Sequence, residues 1–199
     1  MTGMSDRHLN FVYKLDGDVK EVDIFKLAPT LLALGELIQD SNKELNPVGR
    51  QIAVNVKPFR EGSFIVDLTI FSGTNLQHVI DFLTPHSLEQ LKTLLEIIGL
   101  IATGTVTATY GAVKAIKKLG GRPKSVEEIK PGEFRYTAVD DNSFTVTGQV
   151  HQLLSNSSIT NNIYKIYGGP LQDIPSVEDV ATYIEGCLLY TSPSPRDCS

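Results

Sequence analysis

Apolar and polar positions follow three successive patterns along this chain. Up to about residue 72, short alternating runs surround one stretch in which apolar residues recur at helical spacing. From about residue 75 to 119 the spacing is helical throughout, and after a Gly-Gly-Arg-Pro linker at residue 120 the short alternating runs return. This succession predicts an α+β fold with segments at residues 1–74, 75–119 and 120–186.

The first segment predicts a small two-layer unit. Alternation in residues 8–15 and 19–24, on either side of an Asp-Gly turn at residues 16–18, predicts a β-hairpin. Two further alternating runs, at residues 52–56 and 64–70, predict a second pair of strands. Between them a helix is predicted to end at Asn46-Pro47, with an apolar stripe of Leu27, Leu31, Leu34 and Ile38. The pattern therefore predicts a two-layer β-β-α-β-β unit in which the helix covers one face of a small antiparallel sheet.

The third segment predicts a second hairpin followed by helical structure. Residues 134–139 and 143–150 alternate around an Asp-Asp-Asn turn at residues 140–142, which favours a turn more than a calcium loop. Capping-box spacing at residues 125–128 predicts a short helical turn.

The end of that segment is less regular in its pattern. Residues 159–167 fit a helix or a strand, and Gly168-Gly169-Pro170 is predicted to end that element. Acidic residues early in the run at residues 176–184 predict a helix start.

The middle segment has the most specific pattern, a row of small residues at intervals of four. Residues 97–113 carry no charge and only just reach the length that spans a bilayer. On one continuous helix the small residues would form a face that another helix approaches closely. The row predicted for helix association consists of Gly99, Thr103, Thr107, Gly111 and Ala115.

A basic run follows this row directly. It fits the cytoplasmic flank of a membrane segment or a contact with anionic lipid. The residues predicted for lipid or anion contact are Lys114, Lys117, Lys118, Arg122 and Lys124. We therefore expect self-association through a helix at residues 97–115 and contact with a membrane surface; the alternative is an ordinary helix buried in a soluble core.

The net charge and the positions of the histidines argue against several classes of function. The chain has 23 acidic and 18 basic residues and a net charge of −5, so general nucleic-acid binding is unlikely. The four histidines, at positions 8, 78, 86 and 151, show no metal-binding or catalytic spacing. We therefore predict no catalytic residues, no metal site and no cofactor. The first residues lack the pattern of a signal peptide, which predicts a protein that is not secreted and lies in the cytoplasm or at the cytoplasmic face of the inner membrane.

The last residues have a different character. Residues 187–197, CLLYTSPSPRD, match the translation of a transposase adapter used in DNA library preparation, so we expect residues 187–199 not to be native. Both cysteines, Cys187 and Cys198, lie in this tail, which excludes disulfides and cysteine metal sites from the rest. The match also leads us to expect a chain truncated near Gly186, with its functional part beyond that point.

Three stretches of the sequence are similar to one group of proteins. FKLAPTLLALGELIQ (25–39), VNVKPFREGSFIVDL (54–68) and VTGQVHQLLSN (146–156) resemble a group of prokaryotic and phage-borne hypothetical proteins. The resemblance covers most of residues 8–186 and implies a further β-rich C-terminal region. It implies no activity and no catalytic residues.

Three hypotheses follow. The first is a non-enzymatic prokaryotic or phage protein that associates with a membrane or with itself. The second is a soluble domain that binds a small molecule or a peptide. The third is part of an enzyme whose catalytic region lies beyond residue 186.

Overall fold

The computed structural model of the protein describes residues 9–48, 51–57, 64–72, 85–101 and 110–185. Helices and antiparallel sheets are both present, which confirms the predicted α+β class. The strands are β1 (Leu9–Asp16), β2 (Ile52–Val56), β3 (Phe64–Ser72), β4 (Ser125–Lys130), β5 (Glu133–Thr137), β6 (Ser143–Thr147) and β7 (Asp179–Ile184). The helices are α1 (Ile24–Leu45), α2 (Pro85–Ile98), α3 (Ala112–Leu119), α4 (Gly148–Ser155) and α5 (Ser157–Asp173).

Four strands form the larger sheet, in the order β2-β3-β1-β7, and every neighbouring pair is antiparallel. β1 lies inside this sheet, and its Phe11 and Tyr13 side chains are fully buried. Because side chains alternate along a strand, these two residues point to the same face. The Tyr13 hydroxyl donates to the carbonyl oxygen of Ile166 in α5, so the helices cover that face.

α1 and α5 pack side by side in opposite directions. At the start of α1, the Lys26 ammonium donates to the carbonyl of Asp173 at the end of α5. Near the end of α1, the Asp40 carboxylate accepts a 2.9 Å hydrogen bond from Ser158 at the start of α5. The predicted end of α1 before Asn46 is confirmed. Three residues of the predicted apolar stripe, Leu27, Leu34 and Ile38, are buried, and the fourth, Leu31, is partly buried against the core.

The hairpin predicted around residues 16–18 is wrong. Both edges of β1 are occupied, by β3 on one side and by β7 on the other. Gly17 has φ +132°, and a Cβ built there would lie 2.0 Å from the carbonyl oxygen of Ser176, so only glycine fits where the chain leaves the sheet. The Asp23 carboxylate then accepts a 2.9 Å hydrogen bond from the Phe25 N–H and caps α1 in place of the predicted second strand.

The C-terminal strand completes the sheet of the first segment. The run at residues 176–184 forms β7 beside β1, and not the predicted helix. Val180 and Thr182 alternate onto the buried face of the sheet, and neither is more than 1% exposed. The first and third predicted segments therefore share one sheet and one hydrophobic core, and the first segment is not closed on itself.

α5 continues through Gly168-Gly169-Pro170, where the sequence predicted an end. Pro170 has no N–H, so the carbonyl of Ile166, four residues earlier, lacks its usual helical donor. The hydroxyl of Tyr13 donates to this oxygen at 3.1 Å within the core. The helix tolerates the proline because the neighbouring strand supplies the missing hydrogen bond.

The smaller sheet is a meander of the consecutive strands β4, β5 and β6. The predicted hairpin at residues 140–142 is confirmed, and Asp141 takes a left-handed φ of 64° in its turn. β6 is shorter than predicted because Thr147 caps α4. Residues 125–128 belong to β4 and not to a helical turn, and the Glu128 carboxylate accepts a 3.0 Å hydrogen bond from the Gly132 N–H in the β4–β5 turn.

Candidate functional site

The small residues predicted to form one helix face do not share a helix. α2 ends at Ile98, and Gly99 follows it with φ +88°. α3 begins only at Ala112. Thr103 and Thr107 lie outside the described residues. The continuous helix predicted over residues 97–115 is therefore wrong, because a left-handed glycine ends the first part of it.

Gly99 and Gly111 nevertheless bring two backbone segments close together, within one chain. A Cβ built on Gly111 would lie 2.7 Å from the Gly99 Cα and 2.9 Å from the carbonyl oxygen of Glu96. Ala115 is fully buried in the core. These three small residues thus serve the packing of the end of α2 against the start of α3.

α3 carries the first three residues of the predicted basic run. Lys114, Lys117 and Lys118 lie on its exposed side. Gly120, with φ +61°, ends the helix, so Lys117 and Lys118 lie in the last turn, where the helix dipole favours cations. The opposite side of α3 packs into the core through Ala112, Val113, Ala115, Ile116 and Leu119.

Aromatic rings hold the three ammonium groups. The Nζ atoms of Lys114 and Lys118 lie 5.0 Å and 4.8 Å from the centroid of the Tyr110 ring. Lys118 also donates to the Tyr110 hydroxyl at 3.0 Å, and Lys117 Nζ lies 4.5 Å from the centroid of the Tyr167 ring. Each exposed cation–π contact contributes about 0.5–1 kcal/mol, so the rings restrict where these charges move. We call the three lysines together with Tyr110 the lysine surface.

The charges change the acidity of neighbouring groups. The hydrogen bond from Lys118, together with its charge, lowers the pKa of the Tyr110 hydroxyl. Desolvation lowers the pKa of Lys117, and the nearby Asp179 carboxylate opposes this shift. The lowered pKa of Tyr110 indicates a positive potential around its ring.

Arg122 and Lys124 complete the predicted basic run, and both are exposed. Lys124 forms an ion pair with Asp141 in the β5–β6 turn, so its charge is partly compensated. The lysine surface is therefore the part of the run with the highest concentration of positive charge.

Two side chains of α5 that lie within about one turn of Tyr167 are exposed. Tyr164 and Leu171 are 48% and 45% exposed. They lie about one turn before and one turn after Tyr167, whose ring is next to Lys117. Cations beside an exposed tyrosine and an exposed aliphatic side chain are the composition of surfaces that contact the lipid–water interface.

A shallow open cleft lies where α1, α4 and α5 meet, and no sequence pattern predicted it. Its volume is about 550 Å³. The carboxylate of Glu44 accepts hydrogen bonds from the side-chain amides of Gln152 at 3.2 Å and Asn156 at 2.9 Å. Because each carboxylate oxygen has an amide donor, this cluster ties the three helices together. The cleft is lined by Glu44, His151, Gln152, Ser155, Asn156 and Ser157.

His151 lies in this cleft and is held from two directions. The Tyr136 hydroxyl lies 2.8 Å from its Nδ1, and the Phe134 ring stacks on it with centroids 3.7 Å apart. Burial raises the pKa of Tyr136, and which of the two groups donates in this hydrogen bond depends on the tautomer of His151. The Ser155 hydroxyl donates to the His151 carbonyl at 2.8 Å, which is not the arrangement of a nucleophile and its base.

No family model, curated protein or solved structure matches this chain. Within the described residues, no helix is both long enough and apolar enough to cross a bilayer. In the same part of the chain, His, Cys, Asp and Glu side chains do not gather in threes as a metal site requires. The lysine surface, by contrast, combines three clustered cations with aromatic rings in contact with them.

The sequence indicated the lysines of this surface but not their aromatic partners. Tyr110 lies four and eight residues before Lys114 and Lys118, a spacing that could have indicated its contact with both. Tyr167 could not be found in this way, because α5 meets α3 only in the folded protein.

Proposed function

We propose that the protein is a non-enzymatic interaction protein that binds an anionic lipid surface reversibly through the lysine surface. The arrangement that carries the proposal is three ammonium groups held over the rings of Tyr110 and Tyr167. Tyr164 and Leu171, which are exposed on α5 about one turn from Tyr167, supply side chains that insert at the lipid–water interface.

The expected binding is weak and reversible. A lysine close to an anionic membrane contributes about 1 kcal/mol, so the lysine surface contributes about 3 kcal/mol. Burial of an exposed aliphatic side chain such as Leu171 adds on the order of 1 kcal/mol. The net charge of −5 opposes binding, and it limits contact to the one face where cations are concentrated.

Charge distribution favours lipid over nucleic acid as the partner. A nucleic-acid strand would extend from the lysine surface across a chain with 23 acidic and 18 basic residues. A bilayer is flat and meets only one face of the protein, so it avoids most of the acidic residues.

Co-sedimentation with vesicles tests the proposal. Vesicles of phosphatidylcholine with about 30% phosphatidylserine are compared with vesicles of phosphatidylcholine alone. The test variant replaces the lysines of the lysine surface by glutamine. A control variant makes the same change of charge at three exposed lysines elsewhere, namely Lys20, Lys43 and Lys130.

The parent protein and the control variant are expected to bind the anionic vesicles, and neither is expected to bind phosphatidylcholine alone. Loss of about 3 kcal/mol lowers the partition coefficient of the test variant about 100-fold. Equal losses in both variants, or no binding by the parent, would refute the proposal. Titration of a single-stranded oligouridylate and of an acidic peptide is the remaining arm, and tighter binding of either would reassign the surface to that partner.

A further inference from the structure

The first half of α1 exposes an apolar face. Ile24, Phe25 and Leu32 are 62%, 85% and 64% exposed, and Ala28 between them is exposed as well. Single exposed apolar residues are ordinary on a soluble protein. Ile24 and Phe25 are consecutive, and Ala28 and Leu32 follow Ile24 by four and eight residues. At 3.6 residues per turn all four fall within about 100° of the helix circumference and form one apolar patch.

Gly35 lies on the same side of α1, seven residues after Ala28. It has no positive φ, and no neighbouring atom lies within 4 Å of a Cβ built there. Neither the backbone nor the packing of the single chain therefore requires glycine. Glycine weakens a helix interior relative to alanine, so its presence here suits a contact made from outside, in which another backbone approaches closely.

We propose that this face of α1 binds the same face of a second copy of the chain, as an antiparallel helix pair with two-fold symmetry. An axis that passes between Leu31 and Leu32 places Ala28 of each copy opposite Gly35 of the other. It also brings the two Leu32 side chains together at the centre. The contact is therefore complementary at its centre, as a two-fold interface requires, and at its ends Ile24 and Phe25 lie opposite Gln39 and Ile38 of the other copy.

The charges along α1 are compatible with this pairing. The axis pairs residues 24–39 of the two copies, and the charged residues in this range are Lys26 and Glu36. The Lys26 ammonium points away from the face and donates to the carbonyl of Asp173 in α5. Lipid is the less suitable occupant, because the exposed acids Glu21, Asp23 and Glu36 border the face and would be repelled by an anionic membrane.

The area of the face fits a modest dimer. An aromatic side chain buries about 150–250 Å² when it is covered, so the three large exposed residues offer on the order of 400 Å² per copy. With the smaller residues included, two copies bury on the order of 1,000 Å², which is the lower limit of stable interfaces.

Sedimentation equilibrium of the full chain over a range of concentrations tests this inference. Leu32→Asp places a charge at the centre of the face. Gly35→Leu adds a side chain where a Cβ meets no neighbouring atom within 4 Å, and it blocks the close approach of a second backbone. Val139→Asp is the matched control, because Val139 is 72% exposed in the β5–β6 turn, far from α1 in the sequence.

The parent and Val139→Asp are expected to dimerise alike. Leu32→Asp and Gly35→Leu are expected to raise the dissociation constant about 30-fold or more. The melting temperature of Gly35→Leu, measured at a concentration where all variants are monomers, is expected to be unchanged or higher. A monomeric parent, or a Gly35→Leu variant that dimerises like the parent, would overturn the inference.

Discussion

α1 and α3 bury similar side chains but expose different ones. Each helix packs aliphatic residues into the same core. On the outside, the first half of α1 is apolar, with Phe25 85% exposed, whereas α3 presents the lysine surface. The buried side chains of a helix determine how it packs in the fold. Its exposed side chains determine the chemistry of a partner that could bind it. The two proposed contacts therefore involve partners of different chemistry.

The glycines of the two helices show the same contrast. Gly111 at the start of α3 is in contact with backbone atoms of its own chain, the closest 2.7 Å from a Cβ built there. Gly35 in α1 has open space on its exposed side. One glycine is required by packing inside the chain, and the other is free for a contact outside it.

Salt should separate the two surfaces most strongly. When sodium chloride is raised from about 50 mM to about 500 mM, screening should weaken vesicle binding through the lysine surface about tenfold or more. Dimerisation through the apolar face of α1 should stay the same or tighten, because salt does not screen apolar contacts. Vesicle flotation and sedimentation equilibrium in the same buffers provide the measurement, and parallel changes in both would contradict the assignment of different chemistry.

The shared core can be weakened without altering either surface. Tyr13→Phe removes the donor to the Ile166 carbonyl and leaves that oxygen unsatisfied, which should lower the free energy of unfolding by about 1–3 kcal/mol. Pro170→Ala restores an N–H at the position four residues after Ile166, so in the Tyr13→Phe background it should recover part of this loss. Urea denaturation of the four variants gives the coupling, and simple additivity would contradict the described role of Tyr13.

Alanine substitutions at Gly111 and Gly35 are expected to change the free energy of unfolding in opposite directions. Gly111→Ala should lower the free energy of unfolding by about 1–3 kcal/mol, because the added Cβ meets backbone that cannot move aside easily. Gly35→Ala should raise it by about 1 kcal/mol, because alanine favours an exposed helix interior. Urea denaturation at a concentration where the chain is monomeric measures both. Two changes of the same sign would show that the contrast between the helices is mistaken.

The smallest expected effect is spectroscopic. Tyr110 should ionise at lower pH than an ordinary phenol, because Lys118 stabilises its phenolate, and Lys118→Gln should raise its pKa. Burial raises the pKa of Tyr13 and Tyr167, so both stay protonated in the fold, and the stability that they supply is lost as pH rises above about 10. Phenolate absorbance during alkaline titration follows all three, and an unchanged first step in Lys118→Gln would contradict the contact.

Local patterns predicted the local parts of the fold. The apolar stripe of α1, its end before Asn46 and the β5–β6 hairpin are set by neighbouring residues, and all three are confirmed. The errors arose where a distant segment decides the outcome. Gly17 does not turn a hairpin because β7, more than 160 residues later, occupies the edge of β1. Pro170 does not end α5 because the hydroxyl of Tyr13 replaces its missing donor.

In the candidate site, too, the sequence predicted the features that depend on neighbouring residues and missed those that depend on distant segments. The basic run could be recognised from the sequence because its lysines are close together in the chain. Their proximity therefore does not depend on the fold. The ring of Tyr167 under Lys117 depends on the packing of α3 against α5. In β7, the alternation of Val180, Thr182 and Ile184 was present in the sequence, but acidic residues before it suggested a helix start.

The most direct test of the proposed function is the chemical protection of individual lysines by vesicles. The protein is acetylated briefly with and without anionic vesicles, and the modification of each lysine is measured by mass spectrometry. Lys114, Lys117 and Lys118 should be protected several-fold at saturating lipid, and Lys20 and Lys43 should react as they do without vesicles. Equal protection of all lysines, or protection confined to Lys20 and Lys43, would contradict the assignment of the lysine surface as the lipid contact.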